Sequence, residues 1–170
     1  WRRLPVPVIA VLHGRCYGAG VQIAMGADFR FATPDCEMSI MEAKWGLIPD
    51  MSGTVSFREV MALDVAKKLS MTAEVFNAEQ GKAWGLVTET HADPLAAARA
   101  LVEQIATRSP DSVASTKFLF QRAWPASVNK AFCLERWYQL RLLLGRNQKQ
   151  AVKAAQKKQA ATFLERKIDG

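Results

Sequence analysis

Apolar and polar positions divide this chain into two stretches of different character. Residues 6–12 form a short apolar run rich in β-branched side chains, closed by His13-Gly14, and read as a buried strand. Gly18-Ala19-Gly20 leads into a tightly packed helix start over residues 21–27. Residues 28–32 read as a second strand ended by Thr33-Pro34, and residues 36–40 as a third extended piece. Residues 41–49 are expected to be irregular, with Gly46 and Pro49 as breakers. Ser52 is placed to cap a helix over residues 53–61, and another helix follows over 64–70. Residues 75–76 read as extended, Asn77 as the cap of a short helix through Trp84, and 86–90 as a strand. Beyond that point the period is helical: residues 93–107, 112–124, 127–144 and 147–167, with Pro94, Pro110, Pro125 and Gly145 at the boundaries. The pattern predicts an α/β body over residues 1–92 and a helical appendage over 93–170.

A length of 170 residues is enough for one domain with a core, and 49% hydrophobic with 23% charged residues marks a globular chain. No apolar run reaches the roughly 18 residues of a membrane span. The opening Trp1-Arg2-Arg3-Leu4-Pro5 lacks the apolar core and cleavage site of a signal peptide, and a start directly ahead of a buried-looking strand implies preceding sequence. Cys16, Cys36 and Cys133 have no metal-ligand spacing, and their odd number argues against a disulfide framework, so buried thiols in a reducing compartment are expected. His13 and His91 are far apart, and no metal site is expected. The net charge of +7 could attract nucleic acid, acidic lipid or a phosphorylated small molecule, and charge alone does not choose.

Two segments carry candidate chemistry. The glycine turn over residues 14–20 lets backbone approach a ligand closely, and N–H groups at a helix start favour an anion; tight strand–helix packing explains it equally well. Its spacing is neither a dinucleotide fingerprint nor a phosphate-binding loop. Glu42 and Asp50 flank the largely apolar AKWGLIP segment, where carboxyl groups could exchange protons; the alternative is one surface acid and one turn-forming Asp.

In order along the chain, PVIAVLHG (7–14), GAGVQIA (18–24), ADFRFA (27–32), EAKWGLIP (42–49), SGT (52–54) and AEQGKAWGLV (78–87) resemble the crotonase, or enoyl-CoA hydratase/isomerase, superfamily. The helical tail through Phe163 is similar too, and the resemblance covers nearly the whole chain, as the C-terminal two-thirds of a member. It implies a ββα spiral followed by helices that build homotrimers, often paired into hexamers. It also implies an acyl-CoA thioester substrate, with coenzyme A part of the substrate and no further cofactor. The thioester carbonyl is expected between two backbone N–H donors, one on an earlier loop and one at Ala19. Glu42 and Asp50 fall on catalytic positions, and Cys16, Gly18, Gln22, Met41, Leu47, Lys157 and Phe163 on substrate-binding ones.

Within this resemblance, hydratases hold a water between two glutamates. The second falls on Glu42, but the first falls on Gln22, which cannot accept a proton as a carboxylate does. Asp50, eight residues after Glu42, is similar to the second acid of dienoyl-CoA isomerases. An enoyl/dienoyl-CoA isomerase of fatty acid metabolism is therefore favoured over a hydratase. Two further readings differ in class: an RNA-binding relative, suggested by the pI of 9.6, and a non-catalytic relative or fragment, suggested by the single oxyanion donor. Lys149, Lys153 and Lys157 share one face of the last expected helix, either steering the phosphates of coenzyme A or simply solvated. Phe163 covers ligand or makes a trimer or core contact. Trp137, Tyr138, Leu140, Leu142, Leu143 and Leu144 imply subunit or intrachain packing. No membrane and no nucleic acid partner is favoured, and the expected location is the cytoplasm or an organelle matrix.

Overall fold

A computed structural model describes residues 1–168 and resolves them into two compact units: Trp1 with Val8–Arg99, and Arg2–Pro7 with the chain from Ala100 on.

The first unit is an α/β spiral. Strands β1 (Ile9–Leu12), β3 (Phe29–Ala32) and β6 (Glu89–Thr90) pair in parallel in the order β1-β3-β6. Strands β2 (Arg15–Tyr17), β4 (Glu37–Ser39) and β5 (Phe76–Asn77) form a second sheet, β2 and β4 parallel, β4 and β5 antiparallel. Each of the first two turns lays one strand in each sheet before entering a helix: α1 (Ala19–Ala24) after β2, and α2 (Gly53–Phe57) with α3 (Leu63–Thr72) after β4. Parallel pairing needs such crossovers, because a tight hairpin cannot return the chain in the same direction. Helix α4 (Ala78–Ala83) joins β5 to β6. Val21, Met38, Ile40, Phe57, Leu69 and Leu86 meet in the core.

Several elements are shorter than their apolar runs. β1 begins only at Ile9, because Pro5 and Pro7 have no N–H for a ladder. The run 86–90 pairs only at Glu89–Thr90: the Leu86 and Val87 amides both donate to the Gly81 carbonyl, closing a turn after α4. The 53–61 helix stops at Phe57 and continues as turns. Within the glycine turn, residues 15–17 form β2, a strand too short to carry a period. Asn77 caps α4 as expected: its side chain accepts from the Gln80 amide while the Gln80 side chain accepts from the Asn77 amide. Ser52 does not cap α2; its side chain makes no cap bond, and its backbone is left-handed at φ 62°, ψ 14°. The irregular stretch after Met41 contains a 3₁₀ turn, Glu42–Trp45. Arg30, which the apolar pattern does not single out, is buried in β3 and donates to the Leu86 and Ala27 carbonyls. Burial pulls its guanidinium below the usual arginine range, against the opposing pull of Asp28.

The second unit is helical. It takes over within α5 (Pro94–Ala106) and continues through α6 (Pro110–Ala123), α7 (Val128–Leu143) and α8 (Arg146–Gln156). Ser109 accepts from the Ser112 amide and Pro110 opens α6, as its pattern requires. Helices α6 and α7 pack through Ala114, Phe118 and Tyr138, with Leu119 and Leu134 around them, and the Tyr138 hydroxyl accepts from Arg122 Nη1. The last helix ends earlier than the expected residue 167. Lys158 turns left-handed at φ 51°, while the Gln159 amide reaches the Ala154 carbonyl and the Lys158 amide that of Ala155. This is a Schellman ending with lysine where glycine usually stands, so the sequence lacks the usual stop signal. From Gln159 to Ile168 the chain is irregular and held by side chains: Asp111 Oδ1 accepts from the Lys167 and Ile168 amides, Asp111 Oδ2 from Asn147 Nδ2, and Asn147 Oδ1 from the Leu164 amide.

Candidate active site

The first unit gathers Gly18, Ala19, Gln22 and Glu42 at the start of α1. Gly18 adopts φ 52°, ψ −120°, open to glycine alone, and donates its N–H to the Ser39 carbonyl at 2.9 Å. A Cβ there would lie 3.4 Å from Glu42 Oε1, so the carboxylate sits against the turn. Ala19 opens the helix and is exposed; the first residue of a helix has no intrahelical acceptor for its N–H.

Glu42 heads the 3₁₀ turn and is only 9% exposed. Its Oε1 accepts from Gln22 Nε2 at 2.5 Å, and its Oε2 is buried without a partner. Gln22, 1% exposed on α1, in turn accepts on its Oε1 from the Met51 amide at 2.8 Å and the Gly53 amide at 3.2 Å. A buried carboxylate with one oxygen anchored and the other unmet can receive a proton or hold a donor at that second oxygen.

The other expected positions are distributed unevenly. Cys16, half-buried in β2, has its sulfur 3.7 Å from where a Cβ on Gly20 would lie; burial, reinforced by Cys36, pushes its thiol up to about 11. Met41 is half-buried before the 3₁₀ turn, and Leu47 is exposed, its amide bonded to the Glu42 carbonyl at 3.0 Å. Asp50 is exposed on the turn whose next residue, Met51, bonds Gln22. Lys157 and Phe163 belong to the second unit. Lys149 and Lys153 are exposed on α8, Lys157 is its exposed terminal cap rather than part of a longer helical face, and Phe163 is half-buried in the irregular tail. Sequence reasoning missed the role of the 51–53 backbone, because its only sequence signal is Ser-Gly beside a turn.

The second unit has a cavity of about 280 Å³ lined by Asp111, Arg141, Arg146, Asn147 and Lys167 among others, none of them an expected site residue. Among the described residues, no cluster of three or more His, Cys, Asp or Glu could hold a metal ion, and no helix is long and apolar enough to cross a membrane.

A ββα spiral with a buried acid against a glycine turn, followed by helices, defines a class of α/β protein. The enoyl-CoA hydratase/isomerase profile matches residues 1–167, and the chain belongs to this crotonase family. It is 28% identical over 131 residues to carnitinyl-CoA dehydratase of Shigella flexneri, covering 76% of this chain and 50% of that one. Among solved structures, an enoyl-CoA hydratase from Polaromonas sp. JS666 superposes with a TM-score of 0.89 at 28% identity, covering 96% of this chain and 64% of that one. An enoyl-CoA hydratase from Mycobacterium tuberculosis H37Rv does so with a TM-score of 0.89 at 26% identity, covering 96% and 66%. The chain thus spans about half the length of the curated relative and under two-thirds of these structures.

Proposed function

We propose that this chain supplies the enolate-forming part of an acyl-CoA active site, working as an enoyl- or dienoyl-CoA isomerase. The observation that carries this reading is Glu42: a buried carboxylate against the turn that presents the Ala19 amide, anchored through Oε1 and with Oε2 unmet.

In this reading the thioester oxygen accepts the Ala19 N–H, and Glu42 Oε2 takes a proton from carbon on the thioester side. The C–H electron pair moves into the conjugated system as a dienolate, and a second acid returns a proton at the far end. Asp50 is the candidate for that acid; after each turnover its exposure lets it recover a proton from water, while Glu42 gives the proton it took back to solvent once product leaves. The preference over hydration rests on Gln22, since a carboxamide cannot share the base role. The names of the relatives, hydratase and dehydratase, favour the second reading, in which Glu42 activates or expels water.

Lys157 and Phe163 stay with the substrate side of the proposal, and coenzyme A enters as part of the substrate. Assembly into trimers is proposed from the exposed Phe132, Trp137, Leu140, Leu143 and Leu144 on and just after α7, more apolar surface than a lone helix carries. Location in the cytoplasm or an organelle matrix follows from the substrate class.

Assays with 3-enoyl-, 3,5-dienoyl- and 2-enoyl-CoA test this. Isomerisation should fall by about 10²- to 10⁴-fold in Glu42→Gln, and clearly in Asp50→Asn. Isomerisation indifferent to Asp50→Asn removes the two-acid scheme. Hydration that survives Asp50→Asn but not Glu42→Gln makes the protein a hydratase.

A further inference from the structure

The side chain of Gln22 has one possible orientation. The Met51 and Gly53 amides can only donate, so the atom they both meet must be the carboxamide oxygen. Its nitrogen then faces Glu42 and donates to Oε1. Two amides occupy that oxygen, which leaves it no ready acceptor for a water.

The backbone is built for this bond. Ser52, left-handed at φ 62°, turns its two flanking amides toward a single acceptor. Gly53 permits the approach: a Cβ there would lie 2.8 Å from Gln22 Oε1 and 2.9 Å from the Phe57 ring. A non-glycine residue in left-handed conformation is held only where its surroundings over-determine it. The chain therefore runs from turn 51–53 through Gln22 to Glu42, with no charged group in it but the acid.

We propose that Gln22 is a positioning residue, not a ligand for water or substrate: it ties Glu42 to the 51–53 turn so that Oε2 alone exchanges protons. This rests on the proposed role of Glu42 as the proton-transferring acid. It makes the site a single-carboxylate site at this corner, suited to moving a proton along a substrate rather than holding a water between two acids.

Other titratable groups stand on the elements around Glu42. Lys44 on the same turn, Asp50 beyond it, and Asp64, Lys67 and Lys68 on α3, which packs against the turn, are all exposed.

Gln22→Glu is the informative variant. One carboxylate oxygen still receives both amides, so the turn keeps its acceptor. The other now faces Glu42 Oε1 with no proton between them unless the pair shares one. The acid limb of the kcat–pH profile should move up by about one unit or more, with KM within about two-fold and kcat restored at higher pH. Gln22→Met, similar in length but without hydrogen bonds, should lower kcat on the order of ten- to a hundred-fold without moving that limb. Carboxyl-¹³C glutamate NMR provides a readout without turnover: in Gln22→Glu a pair of coupled titrations should appear, with Glu42 losing its proton at higher pH than in wild type.

An unmoved acid limb and an unmoved Glu42 titration in a folded Gln22→Glu protein overturn the proposal. So does a Gln22→Met enzyme with wild-type kcat, or a Gln22→Glu enzyme that gains hydration with no change in pH profile. If the wild type processes no acyl-CoA, the functional reading fails by itself, and the NMR titration still decides the positioning role.

Discussion

Among the described residues each unit buries one carboxylate, and the two are treated differently. Asp111, 7% exposed in the second unit, has both oxygens met: two backbone amides on Oδ1 and the Asn147 carboxamide on Oδ2. Glu42, 9% exposed in the first unit, has one oxygen met and one without a partner. Similar burial with different completeness of bonding separates an acid saturated by the fold from one with an oxygen left open, the feature on which the proposed proton transfer rests. Leaving a buried acceptor unmet costs about 1–3 kcal/mol, a cost with no return unless something else comes to bond there.

The contrast is broken most directly by removing each acid. Asp111→Ala leaves the Lys167 and Ile168 amides and one of the Asn147 N–H groups unmatched, and chemical denaturation should show a loss of about 3 kcal/mol. Glu42→Gln keeps an acceptor for Gln22 and should change stability by less than about 1 kcal/mol while activity collapses. Equal stability losses at the two positions would erase the distinction. Next in size, Gly53→Ala drives a methyl into Gln22, Phe57 and Pro49, the last 3.1 Å away; about 2 kcal/mol should be lost, with activity falling further than stability alone explains. Asn77→Ala removes a capping box far from either acid and should cost about 1 kcal/mol with catalysis untouched.

The smallest effect separates the units by thiol chemistry. Cys16 and Cys36 in the first unit both titrate above the ordinary thiol range, burial being the main cause, so neither offers much thiolate at pH 8. Cys133 in the second unit is exposed. A disulfide reagent at pH 8 should modify Cys133 alone in the folded protein, and all three thiols in denaturant. Cys16 should become reactive only as pH approaches about 11.

Much of the fold was legible because it follows local rules. The apolar runs at Ile9–Leu12 and Phe29–Ala32, the Asn77 cap and the Ser109-Pro110 start each announce themselves within a few residues. The compact units divide within α5, and residues 2–7 go with the later part through contacts with Lys117 and Arg166 that no local pattern carries. Features set by distant partners were not legible. Arg30 is buried because carbonyls at Ala27 and Leu86 receive it, and Ser52 is left-handed because its flanking amides meet Gln22, some 30 residues earlier. At the candidate site, the sequence pointed to Gly18, Ala19, Gln22 and Glu42 through family resemblance, and these four meet at one turn. That Gln22 faces the acid and the backbone at once is a property of three-dimensional closure, invisible in any window of sequence.

The tail beyond α8 borrows its order. From Gln159 to Ile168 the chain makes no helix or strand of its own, and Asp111 with Asn147 supplies the acceptors for three of its amides. A stretch held by Asp111 and Asn147, with Arg166 reaching the Pro5 carbonyl besides, behaves as a clasp: breaking the linked Asp111–Asn147 pair should release it as one piece rather than by gradual fraying.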